Sequence, residues 1–433
     1  MSMSTGSGVP RSERDMDSRL AGTAGMLEGE RHTALMHPSA ARRIFVIYAG
    51  YTLMVRPLLS IMRLTGVFNA SMLLQFVNVA VAVCLVVANR RVLLIRSHFQ
   101  ALLLLVVVQA AVVGIIAQPE IPWRDYLSHL AQLVIAFIMF GAGIIVGPQL
   151  SRRFWHRLAV LGACSGFVAL LIVLAQHSAG NVARYELAAY AFLFVWARAL
   201  AERHLGLALA AGALIMMSAK RGVMVAAVVA LGAALIFAWQ RTERRPSPAR
   251  RTLRMFAAAG VVLMLLVLTS PAGQFLSPPE RLEMALSLSR ERIDFSRDQL
   301  AAPEADINLV SSGRLEEIET ALETLDPLTA LTGRGAGSQI EARGEGVQFL
   351  HFTPLSLVMV YGLPLALGLY GFISLQVVKT MRARHATTLM RTFAIYASAA
   401  MAYSLFAYSL FIDLLLFFSL GYLYMLNRDL EEP

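Results

Sequence analysis

The chain is 433 residues long, 57% hydrophobic and 15% charged, with 38 Lys and Arg against 28 Asp and Glu and a formal net charge of +10. Charged residues make up about 25% of an ordinary soluble domain, so a soluble fold is excluded, and the mean hydropathy of +0.61 points to a membrane protein. Cys84 and Cys164 both lie in apolar runs, which excludes a disulfide scaffold and a thiolate metal site.

Residues 1–41 are polar, rich in Gly, Ser and Arg, and lack an apolar core segment. They predict a disordered cytoplasmic tail with no signal peptide, in which Met16, Met26 and Met36 offer alternative starts. A helix needs about 20 apolar residues to cross a bilayer. Residues 42–270 hold nine such runs, near 44–64, 68–88, 99–117, 127–147, 157–176, 186–202, 204–218, 222–239 and 255–270. Residues 351–427 hold three more, near 352–375, 389–407 and 409–426, and residues 428–433 form a short cytoplasmic tail. The predicted class is therefore all-α, a polytopic membrane protein of about twelve transmembrane helices.

Basic residues stay on the cytoplasmic side of short loops. Arg90, Arg91 and Arg96 follow the second span, Arg152, Arg153 and Arg157 the fourth, and Arg198 and Arg203 the sixth. The run RTERRPSPARRTLR follows the eighth, and Lys379, Arg382 and Arg384 the tenth. Both termini are then cytoplasmic and the chain's positive charge is a topology signal rather than a nucleic-acid surface. This orientation places the pair Lys220–Arg221, set between two apolar runs, at an outer helix end.

Residues 271–350 are the one large external segment, with 14 acidic residues against 7 arginines and no lysine. A first amphipathic helix is predicted in PPERLEMALSLSRERI, with Leu282, Leu286 and Ile293 on one face. A second is predicted in SSGRLEEIETALETLDP, with Ser311 or Ser312 capping, Leu315, Ile318, Leu322 and Leu325 in one stripe, and Pro327 as the stop. Arg314 opposes the macrodipole at that helix start, a placement that suits a bound anion. LTGRGAGS, with Gly333, Gly335 and Gly337, reads as a tight turn, because a dinucleotide fingerprint needs a preceding strand and a cytoplasmic nucleotide. His351 then stands at the outer mouth of the tenth span.

This order of features resembles the O-antigen ligase and O-antigen polymerase superfamily of membrane glycosyltransferases. The family's Ser-Arg-Gly motif is similar to Ser218, Ala219, Lys220, Arg221 and Gly222. Its helix-opening Arg before a glycine-rich turn resembles Ser312, Gly313 and Arg314 followed by Gly333, Gly335 and Gly337. Its His-Asn motif before a glycine-bearing helix looks like His351 and Phe352 followed by Gly362 and Gly368, with Phe in place of the usual Asn. Its loop between the fifth and sixth spans resembles Asn181 and Arg184 in GNVARYE.

The resemblance implies a fold like the GT-C glycosyltransferases and an undecaprenyl-pyrophosphate-linked oligosaccharide donor at the periplasmic face of the bacterial inner membrane. It implies no cofactor, and a chain-length regulator and a flippase as partners beside the lipid bilayer. Arginine and lysine can hold a diphosphate without a metal, so Lys220, Arg221, Arg314 and Arg184 form the expected clamp, with Arg221 and Arg314 also acting on the leaving group. The competing reading has the Lys220–Arg221 pair snorkelling to lipid phosphates. His351 is the expected general base for the acceptor hydroxyl, against a role as an interfacial histidine only.

Arg56 and Arg63 read as anchors of the first span. Glu186 and Asp413 are carboxylates able to pair with the arginines or to replace His351 as base, and Tyr403, Phe406 and Tyr408 read as a sugar groove or an aromatic belt. The leading functional expectation is a polymerase that joins lipid-linked repeat units into exopolysaccharide, capsule or O-antigen, since Phe352 departs from the family's Asn and the resemblance implies looser motifs on the polymerase side. A ligase transferring the glycan to lipid A-core or protein, and a transporter or flippase, are the alternatives. A transporter would show two related halves with sites on broken helices.

Overall fold

The computed structural model describes residues 38–58, 70–117, 121–177, 189–217, 221–240, 314–342, 345–347, 350, 352–383, 386–406 and 410–431. The N-terminal tail up to residue 37, the predicted ninth span and the first predicted external helix lie outside the described residues. Helix α1, Pro38–Gly50, continues through a π-helical turn, Tyr51–Val55. Then come α2 Ala70–Ala88, α3 His98–Ile116, α4 Trp123–Val146, α5 Arg152–His177 and α6 Ala189–Glu202. They are followed by α7 Leu205–Met217, α8 Arg221–Gln240, α9 Arg314–Glu323 and α10 Pro327–Thr332. A short antiparallel hairpin, β1 Ile340–Ala342 and β2 Glu345–Val347, pairs Ile340 with Val347. The chain ends in α11 Thr353–Tyr361, α12 Leu363–Arg382, α13 Thr388–Ser404 and α14 Leu414–Glu431.

Among the described residues three helices are long and apolar enough to cross a membrane, His98–Ile116, Trp123–Gln149 and Leu363–Arg382. Shorter apolar helices cover Gln75–Ala88, Leu205–Ile215, Gly222–Ala238 and Leu414–Arg428. The architecture fits a helical membrane protein, in which each backbone group finds its partner within its own helix. Caps fix the starts of α3 and α13. Ser97 accepts from the Gln100 N–H at 3.1 Å and Thr387 from the Met390 N–H at 3.1 Å.

Helix α4 packs most extensively on α14, and α13 is held between α8 and α6. An aromatic layer joins four helices: Phe45 of α1 stacks on Phe418 of α14 at 3.7 Å, and Trp155 of α5 meets Phe45 and Phe393 of α13 edge-on. A second stack, Phe99 on Phe372 at 3.8 Å, ties α3 to α12. At the expected cytoplasmic end Glu202 gathers two arginines and a histidine, Arg198 at 2.5 Å, His156 at 2.5 Å and Arg152 at 3.4 Å. Arg198 also donates to the Arg152 carbonyl at 3.0 Å and to Thr392 at 3.3 Å, reaching from α6 to α5 and α13.

Two predicted elements differ from the structure. The tenth span is two helices, because Gly362 takes a φ of +84° between α11 and α12. Pro364 lacks the N–H that would bond Val360, and the Val360 carbonyl instead accepts from Gly335 at 3.0 Å. Pro327 does not stop the second external helix but opens α10. That helix, α9, ends at Glu323, and Asp326 then caps α10, accepting from the N–H groups of Leu328 and Thr329 at 2.8 and 2.9 Å. The apolar stripe also rotates. Ala321, Ile318 and Leu325 face inward with Glu317, while Leu322 is 53% exposed.

Candidate functional site

Of the expected clamp and base residues, Lys220, Arg184 and His351 lie outside the described residues, as do Asn181, Glu186, Arg63 and Tyr408. Arg221 and Arg314 are the first residues of α8 and α9. Helix α8 rests on α13 and α6, whereas α9 rests on β1 and α11.

The start of α8 is seated by Gly222. A Cβ there would lie 2.5 Å from Cβ of Phe406 and 3.3 Å from Cε2 of Tyr403, so a glycine lets the first turn of α8 sit directly on the end of α13. Tyr403 in turn meets Tyr190 of α6 edge-on, ring centroids 5.0 Å apart.

A buried polar cluster adjoins these rings. Asp413 is the N-cap of α14, its Oδ1 accepting from the Leu416 N–H at 3.2 Å while its Oδ2 accepts from the Tyr396 hydroxyl at 2.6 Å. Arg56, just after the π-turn, lies close enough to act electrostatically on Asp413, Tyr48, Tyr190 and Tyr396. It is only 8% exposed, which corrects the expectation of an interfacial anchor: the π-turn carries the side chain into the protein, within electrostatic reach of the Asp413 carboxylate. π-turns of this kind are frequent at functional sites. Beside the cluster Tyr370 donates to Ser404 at 2.7 Å, since the one hydroxyl hydrogen of Ser404 goes to the Met401 carbonyl at 2.6 Å.

The glycine-rich turn after α10 makes the second polar assembly. Gly333, Gly335 and Gly337 have φ of +73°, +84° and +76°, conformations open to glycine without penalty. The turn does not sit free outside the helices. Arg334 N–H donates to Met359 O at 2.8 Å, Ala336 N–H to Ala110 O at 2.9 Å and Gly337 N–H to His129 Nδ1 at 3.1 Å. His129 bonds the Tyr361 hydroxyl through Nε2, and the Gln109 side chain bonds the Thr332 carbonyl. With Nδ1 accepting, the neutral imidazole must carry its proton on Nε2 and donate it to Tyr361. Tyr361 reaches Phe411 edge-on at 5.8 Å, two residues before Asp413, so the turn and the Arg56–Asp413 cluster are linked by one aromatic contact.

Sequence reasoning named Arg56, Asp413, Tyr403 and Phe406 but missed Tyr190, Tyr396, Gln109, His129 and Tyr361. The available signal was an isolated polar side chain in an apolar run, as for Gln109 in LLLLVVVQAAVV, which marks an intramembrane site by default. Phe352 precedes α11 as its N-cap and offers no side-chain cap. Comparison with protein-family models, curated proteins and solved structures found no match to this chain.

Proposed function

We propose that the protein is a metal-independent membrane glycosyltransferase that polymerises polyprenyl-pyrophosphate-linked repeat units on the periplasmic face of the bacterial inner membrane. In this reading the chain crosses the bilayer about twelve times with both termini cytoplasmic. The observation that carries it is the seating of α8. Its first residue, Arg221, stands where Gly222 meets Tyr403 and Phe406, beside a buried set of hydroxyl, carboxylate and guanidinium groups. A helix N-terminus opened by a cation is suited to a diphosphate. Lys220, Arg314 and Arg184 complete the clamp, and His351 takes the proton of the acceptor hydroxyl, with Asp413 as the carboxylate alternative.

The test compares deleted host cells with cells restored by wild type or Arg221→Ala at equal membrane levels, following exported polymer and lipid-linked intermediates together. Loss of long polymer with single lipid-linked repeats accumulating outside is expected. Full-length polymer from Arg221→Ala would remove the reading's main support. Finished polymer that stays unattached to its lipid or protein acceptor in deleted cells would indicate the ligase alternative.

A transport reading has an observation of its own: α11 and α12 are a broken helix pair at Gly362, and Arg56 and Asp413 are buried charged residues, both features of transporter sites. Under that reading the deletion leaves its lipid-linked repeats inside, protected from an external glycosidase.

A further inference from the structure

We propose that residues 327–337 are a re-entrant segment that dips into the bilayer from the outer side, laying Leu328 and Leu331 of α10 against the acyl chains of the outer leaflet. Depth is set by what holds the segment. The carbonyl ending α10 is bonded by Gln109, and Ala336 bonds Ala110. Gln109 and Ala110 stand well before Ile116, the expected outer end of α3. At 1.5 Å per residue they lie about 10 Å below that end.

Over the same depth α3 turns Val108, Val112 and Ile115 outward, as a spanning helix does toward lipid. On the other side α10 abuts the joint of α11 and α12, where a Cβ on Gly362 would come within 2.2 Å of the Leu331 carbonyl. The first outward residues of α12 are Leu363, Pro364 and Leu367. Leu328 and Leu331, three residues apart and so on one face of α10, are 69% and 63% exposed. Exposed apolar side chains thus lie on α10 and on both helices it touches, α3 and α12, which are long and apolar enough to span a membrane. That shared apolar exposure is why the occupant is lipid.

The backbone obeys the rule for such depth. Non-helical chain is tolerated inside a membrane only where protein satisfies its polar groups. Here the N–H groups of Gly333, Arg334, Gly335, Ala336 and Gly337 all donate within the protein. Asp326, exposed at the N-terminus of α10, marks the polar end of the dip. The inference rests on the membrane character of the chain and is independent of any transferase chemistry.

Spin-label depth measurements test it. In the full chain with Cys84→Ser and Cys164→Ser, nitroxides are placed singly through Leu322→Cys, Leu328→Cys, Leu331→Cys and the reference Val112→Cys, in phosphatidylethanolamine–phosphatidylglycerol nanodiscs. The ratio of collisions with oxygen to collisions with a water-soluble nickel complex is expected to rise severalfold from 322 to 331 and to approach the value at 112. A ratio at 331 equal to that at 322 places the segment in water and overturns the inference. An immobile label reached by neither agent means that protein, from this chain or a second copy, covers the leucines, and overturns it equally. Should Leu331→Cys fail to fold, Leu328→Cys decides alone, with a ratio between those at 322 and 112 expected.

Discussion

The Tyr396 hydroxyl donates to Oδ2 of Asp413 over 2.6 Å, with both residues shut away from solvent. The carboxylate is thereby shared between the tyrosine, the first turn of α14 and the charge of Arg56. Tyr396→Phe removes only a charge-assisted bond, worth about 1.5–3 kcal/mol. A lower melting temperature in detergent, with the helical content unchanged, is the expected result.

Arg56 acts electrostatically on Asp413 inside one buried cluster, so removing either residue alone should cost more than removing both. A single Arg56→Met or Asp413→Asn change leaves a buried charge uncompensated, at roughly 3–5 kcal/mol. The double variant should recover a substantial part of that loss. Thermal unfolding of the three variants gives the coupling energy directly, and simple additivity would show the two residues to be independent.

Glycine replacements should sort by local geometry. Gly335→Ala places a Cβ 2.2 Å from the Gly114 nitrogen at a φ of +84°, whereas Gly232→Ala in α8 meets nothing within 4 Å. The first should destabilise strongly, and the second should stabilise by up to about 1 kcal/mol through helix propensity. Matched melting curves check both.

His129→Phe keeps an aromatic ring but leaves the Gly337 N–H without its acceptor, a loss of about 1–3 kcal/mol. The expected readout is local. Proteolysis within 333–347 should speed up before the helices unfold, and His129→Gln, which can still accept, should restore part of the protection.

The cap of α10 should titrate. Hydrogen bonds from the Thr329 hydroxyl and from the Thr329 and Leu328 N–H groups hold the Asp326 carboxyl below its ordinary value. Because the folded pKa is depressed, the cap's contribution is complete above the usual carboxylate range and is lost as pH falls through the folded value. Amide exchange at Leu328 and Thr329 should therefore accelerate in acid beyond the intrinsic trend, and Asp326→Asn should abolish that pH dependence.

Much of the helical frame was legible in the sequence, because apolar runs of bilayer length announce helices whatever their neighbours. The runs predicted near 99–117 and 127–147 match α3 and α4 closely. The break at Gly362 was hidden by an unbroken apolar run, since hydropathy says nothing of φ, although the Gly-Leu-Pro order at 362–364 carried a hint. Arg56 was misread because its sequence neighbours place it near a helix end, while the π-turn and Asp413, far along the chain, decide where its charge goes. The docking of the glycine turn against Ala110 and His129 depends on contacts more than two hundred residues apart, which no local pattern encodes. Arg221 and Arg314 stand out in the sequence by their charge in unlikely places, and the structure sets them at the starts of α8 and α9.

The ion cluster at Glu202 bears on how the chain enters the membrane. Arg198 and Glu202 are one helical turn apart on α6, so this helix brings its own counter-ion with it during synthesis. The Thr392 contact of Arg198 belongs to α13, which emerges from the ribosome almost two hundred residues later. Until then Glu202 keeps the guanidinium neutralised. If α6 enters the bilayer as the apolar run at 186–202 predicts, a chain with Glu202→Ala would present the insertion machinery with Arg198 and no counter-ion on its own helix, and its first symptom would be failed insertion of α6 rather than a less stable finished protein.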